Sequence, residues 1–113
     1  MDTQEARWLA RDMALQALEI VQRLADGRRV MPDERLRLRK IGGQLRELLP
    51  DAGYPAEAVW RGVQRSIIGL DTADQGADSY FWQDVAADLR RGMETLSSLV
   101  QPAGSQPDVN LVG

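Results

Sequence analysis

Asp84 and Asp88 stand one helical turn apart and form the best local pair of carboxylates in the chain. Two carboxylates on one helix face can hold Mg²⁺ when substrate phosphates complete its coordination. The spacing is common on solvated helix faces, so we expect no metal site and no catalytic residue from it. The second feature with chemical potential is basic. Arg35, Arg39 and Arg46 fall on one flank of a predicted helix, and Arg61 and Arg65 lie four apart on the next. Such a set could contact the phosphates and base edges of a nucleic acid. No aromatic residue interleaves with Arg35, Arg39 and Arg46, so a base-stacking platform has no support.

The rest of the composition narrows the chemistry. Histidine and cysteine are absent. A histidine-based triad, a thiolate nucleophile and a Cys/His zinc site are thereby excluded. Lys40 is the only lysine, and nothing near it predicts the desolvation that a catalytic lysine needs. Gly42-Gly43 lacks both the spacing and the preceding strand of a phosphate-binding loop. No cofactor is implied. The chain carries a net charge of −3. Residues 31–50 hold five bases and three acids, and residues 71–113 hold seven acids and two bases.

A third set is apolar. Trp8 and Leu15 point away from the buried face of the first predicted helix, among Arg11, Asp12, Glu19 and Gln22, while Leu18 sits on its border. Tyr80 and Phe81 flank the main apolar stripe of the last helix. Aromatic anchors among polar groups suit protein recognition, because they bury large areas with few rotatable bonds. Asp74, Asp78, Asp84 and Asp88 could steer a basic partner toward them. The competing reading is a broad core that covers Trp8, or a symmetric homodimer closed by the same residues.

These side chains need helices to position them. The strongest pattern is Trp82, Val85, Leu89, Met93, Leu96 and Val100, in three- and four-residue steps, which predicts a helix from Ser79 to Val100. Ala6, Leu9, Met13, Ala17, Ile20 and Leu24 predict a first helix over 3–26, capped by Asp2 or Thr3 and ended near Gly27. Pro32 opens a second over 32–49, with Leu38, Ile41, Leu45, Leu48 and Leu49 inward. Gly42-Gly43 within it predicts a close helix approach or a kink. A turn over Pro50–Pro55 precedes a third helix with Ala56, Val59, Trp60, Val63, Ile67 and Leu70 inward. Residues 71–78 read as a loop, and 102–113 as a loose tail with a small apolar island, Val109 to Val112.

The expected fold is therefore all-α, a compact and antiparallel four-helix bundle over residues 1–101 with a flexible C-terminal tail. No run is long and apolar enough to span a bilayer and no signal peptide is evident, so a cytoplasmic location is expected. By elimination, the leading expectation for function is a small non-catalytic module that binds another protein, such as an inhibitor, immunity protein, antitoxin or assembly adaptor. The alternative is a small nucleic-acid-binding regulator using the arginines of the second and third helices.

Overall fold

A computed structural model describes residues 1–72 and 79–100. Among them are four helices and no strand: α1 (Thr3–Ala25), α2 (Pro32–Ala52), α3 (Tyr54–Thr72) and α4 (Ser79–Leu99). Cross-helix contacts fix the topology. Arg7 reaches the carbonyl of Ala52 and Arg23 pairs with Glu34, so α1 and α2 run antiparallel. Gly42 lies against Val63 and Ile67, and Arg35 against Leu70, so α2 and α3 do too. Arg65 meets Asp84 and Asp88, and Gln4 meets Leu99, which orders α3, α4 and α1 alike. The ring closes as an up-down-up-down bundle in which α4 packs between α1 and α3.

Local chemistry explains most of the helix ends. Asp2 caps α1, its carboxylate accepting from the Gln4 N–H at 3.2 Å. Gly27, at φ +83°, completes a Schellman turn, with the Arg28 N–H bonding to Arg23 and its own N–H to Leu24. Pro32 opens α2, and the Glu34 carboxylate accepts from the Met31 N–H at 3.0 Å. The second helix then runs three residues further than the prolines predict. Pro50 lies inside its final turn, and Ala52 is fully buried. Core contact at Ala52 outweighs the one amide bond that Pro50 cannot make. Only Gly53, at φ +85°, separates α2 from α3. Its N–H bonds to Leu49, and its carbonyl accepts from Ala56 and Glu57.

The core joins one stripe from each helix. Ala6, Ala10, Ala14 and Ala17 bring α1 in on small side chains, and Ile20, Val21 and Leu24 complete its buried face. Leu38, Ile41 and Leu45 enter from α2; Val59 and Val63 from α3; Trp82, Val85, Leu89 and Leu96 from α4. The predicted inward positions are mostly correct. Leu9, Met13, Leu49, Trp60, Ile67 and Met93 are the exceptions, since they pack on the edge of the core and are only partly buried. Gly42 answers the glycine question. A Cβ there would lie 3.2 Å from Gln64 Oε1, so the residue permits close approach to α3. Gly43 faces open space.

The third helix continues through Asp71 and Thr72, where a loop was expected. Ser79 is the first residue of α4, where the apolar spacing places the helix start. Asp74, Asp78 and the tail from 102 onward, with its Val109–Val112 island, lie outside the described residues. No helix among the described residues is long and apolar enough to cross a membrane.

Candidate functional site

The two flanks of α4 carry the features that can recognise something. On the α1 side, Trp8 is 52% exposed and lines a recess of about 150 Å³ with Arg11, Ser97 and Val100. Arg11 Nε donates to Ser97 Oγ at 2.7 Å, which fixes the recess between the two helices. Leu15 lies two turns along α1 and is also exposed, while Leu18 is partly buried against the core. The competing reading, a broad core that covers Trp8, is met only in part, since α4 leaves about half of the ring exposed.

Tyr80 and Phe81 are elsewhere. The α1 N-terminus lies beside the α4 C-terminus, so Trp8 sits opposite Ser97 and Val100. Tyr80 and Ser97 stand seventeen positions apart on α4, about 25 Å along a helix axis. Tyr80 is exposed at that far end. Phe81 packs inward, edge-on to Trp82 with ring centroids 4.8 Å apart, and its ring carries the Arg65 guanidinium 5.4 Å above it. The single aromatic surface envisaged from sequence is two separate places.

On the α3 side, Arg65 organises the contact. Its Nη1 donates to Asp88 at 2.6 Å and its Nη2 to Asp84 at 3.0 Å. Arg91 also donates to Asp88. The carboxylate pair predicted to steer a basic partner thus spends its charge on this chain's own arginines. Below this cluster runs a groove of about 450 Å³, lined by Tyr54, Pro55, Ala58, Arg61, Gly62, Arg65, Asp88, Arg91, Gly92 and Thr95.

Glycines allow α3 and α4 to come together beneath that groove. A Cβ on Gly62 would stand 2.8 Å from Leu89 Cδ2; on Gly69, 2.7 Å from Phe81 Cε2; and on Gly92, 2.6 Å from Val59 Cγ2. Sequence reading missed these residues, because an apolar stripe is recognised by its side chains. The signal was the small-residue spacing Gly62, Ser66, Gly69, which falls on one face at four- and three-residue steps. Ser66 is fully buried and bonds to the Gly62 carbonyl at 2.9 Å.

The arginines proposed for nucleic acid are mostly occupied within the fold. Arg35 Nη2 donates to the Leu70 carbonyl at 2.8 Å, and Arg39 pairs with Asp71 at 2.5 Å. Arg61 pairs with Glu57 on its own helix. Arg46 is exposed. Among the described residues, no three acidic side chains gather closely enough to hold a metal ion. Comparison with known families, with curated proteins and with solved structures finds no match.

Proposed function

We propose that the chain is a small non-catalytic protein-binding module whose recognition face is the seam between α1 and α4 around Trp8. One observation carries this reading: a tryptophan stands half-exposed over a recess that it lines with Arg11, Ser97 and Val100. Burying that ring against a partner would recover apolar contact that folding leaves unused. Leu15 extends the same face and Arg11 supplies a polar rim, the usual arrangement around an anchor residue. The far-end Tyr80 is not part of this face.

The test is site-specific photocrosslinking from position 8, with the captured species identified by mass spectrometry and the free chain sized by light scattering. A discrete partner protein is expected, captured from position 8 but not from the exposed control position Gln83. Trp8→Ala should weaken that complex while leaving the helical spectrum intact. Crosslinks only to a second copy of this chain would replace the module with a homodimer. Equal capture from both positions would remove Trp8 as the anchor.

A further inference from the structure

We propose that residues 108–112 dock on the α1–α4 face around Trp8, so that the free chain covers its own recognition surface. The proposal rests on the reading above for the role of that face and names a regulator of it within the same chain.

Position is the first argument. Val100, the residue after α4, lines the recess together with Trp8. Residues 101–113 therefore start at the rim of the recess itself. A tethered segment meets its site at an effective concentration on the order of millimolar, whereas a separate partner meets it only at its own concentration. The order Gln101-Pro102-Ala103-Gly104 puts proline second and glycine fourth, the residue signature of a type I turn. Because α1 and α4 are antiparallel, a chain reversed there would run past Trp8 toward Leu15. Reach is ample. Leu111 stands eleven positions after Val100, a span of up to about 36–40 Å. Trp8 and Leu15 are seven positions apart on α1, about 10 Å along the helix.

Chemical fit is the second argument. Val109, Leu111 and Val112 are the only large apolar side chains in residues 101–113. The recess of about 150 Å³ suits one of them at a time, since a cavity of roughly that size accepts a single benzene-sized group. The exposed faces of Trp8 and Leu15 are left for the others. Charge matches as well. Asp108, directly before this apolar run, is the only charged residue of the segment. Arg11 is the only charged residue among the described lining, and its one polar contact there is the bond to Ser97. No carboxylate among the described residues neutralises Arg11, and its terminal amines can take Asp108 as a bidentate partner. A partner protein that uses the Trp8 face would have to displace this contact, and its apparent affinity would fall by the fraction of chains left uncovered.

The test uses the full chain, labelled with heavy nitrogen, in which each of the three tryptophans gives its own indole N–H signal by NMR. The triple replacement Val109→Ser, Leu111→Ser and Val112→Ser should shift the Trp8 signal and leave that of buried Trp82 in place. Asp108→Asn should shift the Trp8 signal in the same direction by a smaller amount. A photocrosslinking aromatic residue at position 8 should join to residues 108–113, and the same residue at position 83 should not. Equal mixing of light- and heavy-nitrogen chains should give no mixed-isotope product, since the contact lies within one molecule. A Trp8 signal that ignores the triple replacement, or crosslinks that bypass 108–113, would overturn the proposal. Mixed-isotope products would overturn it in favour of a second copy of the chain. A tail crosslink without any captured partner would leave this contact standing and remove the partner-binding reading, and a captured partner without a tail crosslink would do the reverse.

Discussion

The fourth helix meets its two neighbours in different ways. On one side, α1 enters the core on a row of alanines, each with a methyl group already in van der Waals contact. On the other, α3 and α4 meet through glycines whose missing methyls would collide with Leu89, Phe81 and Val59. Both solutions bring helices close. Alanine does so at no cost in helix propensity, whereas each glycine gives up roughly 1 kcal/mol of it. The α3–α4 pair therefore depends more on tertiary contact and on the Arg65 cluster across it. The same glycines remove side chains from the surface above, and a groove lies there.

The sharpest way to break this contrast is at Leu89, which is fully buried beside Gly62. Leu89→Ala should cost about 2–5 kcal/mol in denaturant unfolding. A cost near zero would mean that α3 and α4 are not held by this contact. Gly62→Ala offers a refinement. Overpacking there should cost about 1–3 kcal/mol, offset by roughly 1 kcal/mol of regained helix propensity, for a net cost of about 0–2 kcal/mol. In the Leu89→Ala background the added methyl should fill part of the vacated space, and its cost should shrink in a double-mutant cycle. Simple additivity would show that Gly62 and Leu89 do not share that space.

On the alanine side, Ala14→Gly should cost about 1–2 kcal/mol, from lost propensity and one lost buried methyl. A gain in stability there would make the two seams equivalent. Gly43 is the control for glycine itself, since nothing lies within 4 Å of its Cβ position. Gly43→Ala should raise stability by about 0.8–1 kcal/mol. The smallest effect belongs to the ion pairs. Arg61→Gln should change stability by less than about 1 kcal/mol, and less still in high salt, because its pair with Glu57 is exposed.

How much of this was legible in the sequence depends on what each feature is made of. Apolar side chains at helical spacing disclosed the four helices, their antiparallel bundling and most of the core. Gly27 and Pro32 marked a turn through backbone chemistry that is local. The end of α2 was misplaced because Pro50 is a local signal for a break, while Ala52 is buried by residues distant in the chain. The α3–α4 seam went unread because absent side chains leave no stripe. Trp8 was correctly placed off the core face, but its separation from Tyr80 needed the helix order in space. The roles of Asp84 and Asp88 were likewise unreadable, since Arg65 meets them only after α3 and α4 align.

Gly53 has a consequence for the order of folding. A connection of one residue leaves almost no loop to close, and closure entropy is the main obstacle to early contact between distant segments. The α2–α3 hairpin can therefore assemble from neighbours in the chain, with its register set before the rest arrives. Contact between α1 and α4 joins segments far apart in sequence, as Gln4 and Leu99 illustrate. Such long-range contacts slow folding and form late unless something anchors them. Pulse-labelled hydrogen exchange should find amides of α2 and α3 protected before those of α1. Lengthening the connection at Gly53 with several glycines should slow folding and leave unfolding nearly unchanged, the signature of a turn already formed at the transition state.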